Sequence, residues 1–565
     1  MNISIPVLAV YTVLCFVGNF VGLAGVFKKA GVPAWKALVP VYQLFVWIKV
    51  LQKPKWWLIF AFIPYFGIFV LMLMTWRTIR MFDKTRYITL IPATFFPFIS
   101  MPYYGFSKKE IFYKLEDLPA KHLGFWHSTP IKNGNKKEPL KGKITKTKVR
   151  DWSDNLIYAG LAAYLLRTFL FELYTIPTSS EEGTLMVGDY LVVSKVAYGP
   201  KIPQTAIAIP FIHNVIPKTQ TRSYTEWIEL PYLRFWGFGD VQRNNAVVFN
   251  CPDGDTVALE RSAESYYAIL RQIKRAYQNP QQFATQCYMG GDTPHQYGEL
   301  FNKYGANYYP GKEYDVVKNE YHVISRPEDK RENYIKRCVA VAGDKLEIKN
   351  AVLYINDKPA YEPPKMQMRY IVTFNGYDLN EENRQRLDVN EEDHFQIAAN
   401  MAIYHLNKEQ AKQLATYPNI VSVVPDIEAD TIFDPDIFPF DERYKWNKDF
   451  YGPIIIPKKG MTVEINDSTI VLYSRIIKNY EYNDLEIKSD GIYINGQKSD
   501  SYTFKMDYFW MMGDNRHNSA DSRFWGFVPE NHVVGKASFV WLSLDKYKKM
   551  GKHKIRWNRM FRAIK

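Results

Sequence analysis

Residues 513–529 read GDNRHNSADSRFWGFVP, a stretch crowded with small, polar and turn-forming side chains. Asp, Asn and Ser bond their own backbone, so such density predicts a fixed irregular conformation rather than a plain connection. Two stretches upstream carry related signals. Residues 334–344, YIKRCVAVAGD, alternate a lysine with apolar residues on a strand; alone, this is an edge lysine facing water. Residues 176–189, IPTSSEEGTLMVGD, open on proline and close on Gly-Asp before a strand; alone, they are a loop. Around these stretches lie short β-branched and aromatic runs at 190–196, 246–249, 345–348 and 352–355, broken by Gly, Asp and Pro. They predict a mainly β domain of antiparallel sheets. LEIKNAVLYINDKPA (346–360) and LEIKSDGIYINGQKS (485–499) echo one another as strand, turn, strand, the second with Asn495-Gly496 as its turn pair. They are expected as similar hairpins at two places in one sheet system. Residues 255–278 and 406–416 are compatible with helical insertions.

The chain ahead of this body is apolar. Residues 4–27 hold no charge and end at Lys28-Lys29, and residues 56–75 form a second run flanked by Lys53, Lys55, Arg77 and Arg80. Each is long enough to cross roughly 30 Å of hydrocarbon as a helix. Residues 88–106 carry Pro92, Pro97 and Pro102, which fit a broken segment as well as a clean helix. Residues 33–51 are amphipathic and suit the membrane interface. A last apolar run, 155–175, follows a basic stretch with Lys132, Lys136, Lys137, Lys141, Lys143, Lys146, Lys148 and Arg150. By the positive-inside rule that stretch is cytoplasmic and everything after the run lies outside. Arg167 and Glu172 near its outer end would snorkel or pair. The expected division is a multi-span membrane region over 1–106, a basic cytoplasmic linker over 107–151, a transmembrane helix over 152–176, and a catalytic domain over 177–565. Insertions are expected at about 255–330 and 361–480.

Charge follows the same division. The 565 residues carry a formal +14, but residues 1–150 hold 22 basic and 5 acidic residues and residues 546–565 hold nine basic and none acidic. The stretch between is acidic, 41 basic against 53 acidic. Two basic flanks around an acidic body argue for membrane topology rather than a nucleic-acid partner. For the C-terminal run, with Trp557 and Phe561, contact with lipid phosphates or a solvated end is the expectation. Four cysteines, Cys15, Cys251, Cys287 and Cys338, are too scattered for a disulfide framework or a zinc site.

Taken together and in order after a membrane helix, the three polar stretches resemble the bacterial type I signal peptidases (leader peptidases), membrane-anchored serine proteases with a Ser/Lys dyad on a mainly β fold. The resemblance covers roughly 150–360 and 505–563. It rests most on GDNRxNSxDSRxxGxVP and next on YIKRxxAxxGD. The family's PSGSMxPTL is replaced by PTSSEEGTL; aligned on Pro177, Thr184 and Leu185, the nucleophile falls on Ser180.

The resemblance implies that Ser180 attacks and Lys336 serves as its base. The lysine must then be neutral, its pKa brought down from about 10.4 by apolar burial, for which Ile335, Cys338, Val339 and Val341 are at hand. It further implies that Ser519 bonds the amine, that Asp521 and Arg523 brace the loop as a pair, and that the oxyanion is held by the Ser180 N–H with the Thr178 hydroxyl. Substrate would bind as an extended strand, with Ile176, Pro177, Leu185, Tyr334 and Ile335 lining shallow pockets that favour small residues before the cut. Expected partners are signal peptides of exported preproteins and the phospholipid membrane, with no nucleic acid, cofactor or metal. The expected location is the plasma (inner) membrane, multi-pass, with the catalytic domain on the extracytoplasmic side.

Three departures stand out. Glu181 replaces an apolar residue after the nucleophile, Gly183 replaces a proline and so loosens a turn, and Asn244-Asn245 stand where Gly-Asp is usual. The alternative, motivated by Glu181 and the large insertions, is a catalytically silent homologue that holds export substrates or partners. His517 and Asp514 are expected to be structural, not a catalytic base or a metal ligand.

Overall fold

In the computed structural model the described residues are 5–62, 66–124, 128–133, 136–139, 144–219, 221–280, 295–390, 393–546, 548 and 554–564. Lys141, Lys143, Cys287, Lys549, Lys552 and Lys565 lie outside them. Two compact units form: Met1–Phe169 with Ile228–Pro231, and Leu170–Trp227 with Tyr232–Lys565.

The first unit is mainly helical, with a small three-stranded sheet of Lys121–Leu123, Ser128–Pro130 and Ile144–Lys146. Helix α1 spans Ile5–Lys29, α2 Tyr42–Val50, α3 Trp57–Phe62, α4 Phe66–Arg80, α5 Tyr87–Phe95, α6 Pro97–Phe106 and α7 Lys148–Phe169. Among the described residues one helical stretch, Ala9–Lys29, is long and apolar enough to cross a membrane. The 88–106 run is broken in two at Phe96, where Pro97 starts a new helix with its missing N–H at no cost. Trp47 of α2 is buried and donates its indole N–H to Thr78 Oγ1 at 2.8 Å, which ties α2 to α4, while Trp35 and Tyr42 of the same segment stay exposed.

The second unit has the expected mainly β fold with helical insertions. Its main sheet is built from β1 (Phe171–Thr175), β2 (Asp189–Ser194), β3 (Ala246–Asn250), β4 (Asn333–Ala340), β5 (Tyr508–Met512), β6 (Val528–Pro529), β7 (Val533–Ser543) and β8 (Arg562–Ala563). Their order is β6-β5-β4-β3-β7-β2-β1, with β8 on β7, and every pair is antiparallel.

Strand β1 corrects the expected helix over 152–176. The helix stops at Phe169, and Phe171–Thr175 pairs residue by residue with β2, Glu172 reaching Lys195 at 2.8 Å. An apolar run read by length alone hides this change from a period near 3.6 to a period of 2.

The two echoing segments share their register, Leu346 opposite Ile355 in one and Leu485 opposite Ile494 in the other. They nonetheless lie in separate sheets, which corrects the single sheet system expected for them. Lys345–Lys349 also pairs with Tyr451–Ile455, while the second meander stands alone. What unites them is a core, since Leu346, Ile348 and Ile492 belong to one buried cluster with Trp510 and Phe527.

The insertions have cores of their own. Helix α8 (Tyr266–Gln278) buries Ile269, Leu270 and Ile273 against Val316 and Val317. Residues 256–258, expected as helix, are instead a short strand paired with 323–325. Further on, a four-stranded antiparallel sheet over 368–425 packs Tyr370, Val372 and Tyr404 beneath a helix, Lys408–Leu414, that Asn407 and Gln410 close with a capping box.

Candidate functional site

The turn carrying Ser180 is held at both ends by the sheet. After β1 the chain leaves through Ile176, whose N–H donates to Asp189 O at 2.9 Å while Gly188 N–H returns to Ile176 O at 3.0 Å. Between these clamps Ser179–Glu181 form one 3-10 turn, started by Thr178. The 513–529 loop grips the turn from its other side. Asn515 N–H donates to Ser180 O at 3.1 Å, Asn515 Nδ2 to Ser179 O at 3.3 Å, and Asn518 Nδ2 to Ser179 Oγ at 3.0 Å. Gly513 lets the loop come this close, since a Cβ there would stand 2.5 Å from Ser180 O. These asparagines were not singled out in the sequence; their place inside GDNRHNS was the available signal.

Lys336 lies on β4, an interior strand, opposite Val247 of β3, so it is no edge lysine. Its amine lies 2.6 Å from Ser180 Oγ and the residue is only 4% exposed. Strand alternation puts Tyr334, Cys338, Val247 and Phe249 on its face of the sheet, where they form one cluster with Trp525. Ile335 instead joins the opposite cluster with Ile176 and Leu185, which corrects its expected part in desolvating the amine. Burial pushes the Lys336 amine down from the ordinary lysine value, against the upward pull of Glu181, Asp521 and Asp514.

The structure places the other expected residues variously. Asp521 and Arg523 make a buried bidentate pair at 2.9 and 2.7 Å, and Asp521 also accepts from Gly513 N–H at 3.2 Å. Burial pushes the Asp521 carboxyl up, but the Arg523 guanidinium and these bonds outweigh it and hold it below the usual carboxylate range. Ser519 is buried beside Gly513, yet its hydroxyl bonds nothing among the described residues, so the expected bond to the amine is not made. The amine is directed at Ser180 instead. Thr178 is exposed and its hydroxyl does not cap the turn. Leu185 is fully buried and offers a substrate no surface, a correction to its expected pocket role; Ile176 is nearly so, and Pro177 is exposed. Tyr334 and Trp525 line a cavity of about 360 Å³, together with Cys251, Ala520, Phe524 and residues of the first insertion such as Ala268.

A second buried pair was not anticipated. Arg337, on the face of β4 away from Lys336, reaches Asp514 through Nε at 2.8 Å and Nη2 at 2.6 Å, while Thr184 Oγ1 donates to Asp514 at 2.6 Å. The turn carrying Ser180, the lysine strand and the 513–529 loop are thus tied through one carboxylate. His517 Nδ1 accepts from Arg369 N–H at 3.1 Å, and its Nε2 faces Asp449 at 2.9 Å. It fastens the loop to the second insertion. Arg559, in the basic C-terminal run, is buried on Asp189 at 2.5 Å, so part of that run is structural.

Glu181 is 1% exposed, its Oε1 lies 4.0 Å from the Lys336 amine, and neither carboxyl oxygen has a hydrogen-bond partner among the described residues. Burial pushes this carboxyl well above the usual range; Asp514 adds to the effect, and Lys336 and Arg337 oppose it. Among the described residues no group of three or more His, Cys, Asp or Glu could hold a metal ion, and Cys15, Cys251 and Cys338 are free thiols.

Two family models match the chain. One, described as "Signal peptidase, peptidase S26", matches residues 149–276, 295–410 and 455–542. The other, "Family of unknown function (DUF5684)", matches residues 35–114. Among curated proteins, Signal peptidase I of Haemophilus influenzae is 36% identical over 104 residues, which is 18% of this chain and 29% of that protein. Signal peptidase I of Buchnera aphidicola subsp. Acyrthosiphon pisum is 57% identical over 56 residues, 10% of this chain and 18% of that protein. Signal peptidase I of Helicobacter pylori J99 is 37% identical over 82 residues, 13% of this chain and 28% of that protein. The chain spans under a third of the length of these relatives.

Proposed function

The chain belongs to the signal peptidase family, peptidase S26, and from that premise we propose that it is a membrane-bound serine endopeptidase that removes N-terminal signal peptides from exported preproteins. The observation that carries this reading is the 2.6 Å approach of the Lys336 amine to Ser180 Oγ in a buried setting that favours the neutral amine. A neutral amine accepts the Ser180 proton as Oγ attacks the scissile carbonyl. Lys336 then gives that proton to the departing amine, leaving an ester on Ser180. Water attacks the ester with Lys336 again as base, which restores the hydroxyl and releases the acid.

The tetrahedral oxygen takes the Ser180 N–H and the uncommitted Thr178 hydroxyl as donors. The bound segment runs extended, and the cavity beside Tyr334 receives a side chain ahead of the cut. Asp521, Arg523 and Ser519 shape the loop behind the dyad. Helix α1 anchors the chain as part of a multi-span region, with the second unit on the extracytoplasmic side. The silent-homologue alternative gains nothing from this geometry, since a chain with no use for a base has no reason to keep a lysine buried at its serine.

The test is direct. Full-length protein in detergent, incubated with a preprotein, cleaves it, and Ser180→Ala protein does not. Equal cleavage by both overturns the proposal.

A further inference from the structure

The carboxyl group of Glu181 is enclosed beside the Lys336 amine, with no hydrogen bond to either oxygen among the described residues. A buried carboxyl without partners is costly to ionise, and the cation closest to it, at 4.0 Å, is the amine that has to be neutral to act. The charged and titratable groups around the two are Lys336 and Arg337 from β4, Asp514 and Asp521 from the 513–529 loop, and Cys251 following β3. Arg337 is already committed to Asp514, and Asp521 to Arg523. Glu181 and Lys336 are therefore left to each other.

We propose that Glu181 is a positioning residue that competes with Lys336 for one proton and so sets the pH at which the amine becomes a free base. The inference rests on the dyad reading above. With two protons the pair is ammonium and carboxylic acid. Loss of one leaves either ammonium with carboxylate or amine with carboxylic acid, two forms that differ only in which atom holds the remaining proton. Only the second can take the Ser180 proton. An apolar residue at 181 would leave the lysine to titrate alone, so this chain's glutamate makes its base harder to free and spreads its titration over a wider pH range. Burial raises the carboxyl and lowers the amine, which brings the two groups' proton affinities toward each other.

The test uses full-length protein in detergent with Glu181→Gln and Glu181→Met. Two readouts are followed across pH: kcat/KM for a preprotein, and acetylation of Lys336 by acetic anhydride read by mass spectrometry. In both variants the acid limb of cleavage and the labelling midpoint move to lower pH by about one unit, a tenfold change in proton concentration. A role in packing alone would lower activity at every pH and leave the midpoints in place. Coinciding labelling midpoints in wild type and both variants overturn the inference, whether or not the protein cleaves. A shifted midpoint in protein that never cleaves keeps the shared proton and removes the protease reading instead.

Discussion

Gly183 sits at a φ of +92°, and the carbonyl oxygen of Lys365 packs against it so closely that a Cβ would lie 2.2 Å away. The position expected to loosen the nucleophile turn is therefore locked by a segment far along the chain. Proline, confined near a φ of −65°, could not take this conformation. Gly183→Ala is expected to cost about 1–3 kcal/mol from the left-handed backbone alone, with the clash added. Thermal unfolding measures it: a lower midpoint together with reduced cleavage is the expected outcome, and an unchanged midpoint would contradict both the backbone strain and the clash.

The Arg337–Asp514 pair is buried on both sides. Removing one partner strands a charge, so Asp514→Ala is expected to destabilise by about 3–5 kcal/mol, whereas replacing both with apolar residues of like volume costs much less. Denaturant unfolding of Asp514→Ala against Arg337→Met/Asp514→Leu makes the comparison. Equal losses would place the cost in packing rather than in the stranded charge.

Glu182 is buried, and burial with Asp393 nearby pushes its carboxyl up to about 8. A group whose folded pKa exceeds its unfolded value of about 4.3 binds its proton more tightly when folded. Its contribution is full below that unfolded value and is lost as pH rises through about 8. Stability is thus expected to fall across this window, and Glu182→Gln to flatten the fall. Unfolding midpoints at about pH 5, 7 and 9 check it; parallel curves for the two proteins would contradict it.

Much of this was legible in the sequence because it rests on local chemistry. Strands β2 to β4 follow runs of β-branched and aromatic residues, and the 513–529 loop follows its Asn, Asp and Ser content. What was not legible depends on distant partners. The start of β1 is concealed because Phe171–Thr175 continues an apolar run, and only pairing with β2 makes it a strand. The contacts of Gly183 with Lys365 and of His517 with Asp449 join segments whose insertions follow no local rule. The faces of β4 could be read by period from Lys336, yet that both would be covered by apolar side chains depended on β3 and Trp525 on one side and on Ile176 and Leu185 on the other.

The central claim is that Ser180 and Lys336 act as one unit, and kcat/KM for preprotein cleavage by Ser180→Ala, Lys336→Ala and the double variant tests it most directly. Groups that share one step are strongly non-additive. Each single change is expected to lower kcat/KM on the order of a thousandfold or more, with the double variant no slower than either. Cleavage that survives both single changes, or losses that multiply in the double variant, would contradict the account.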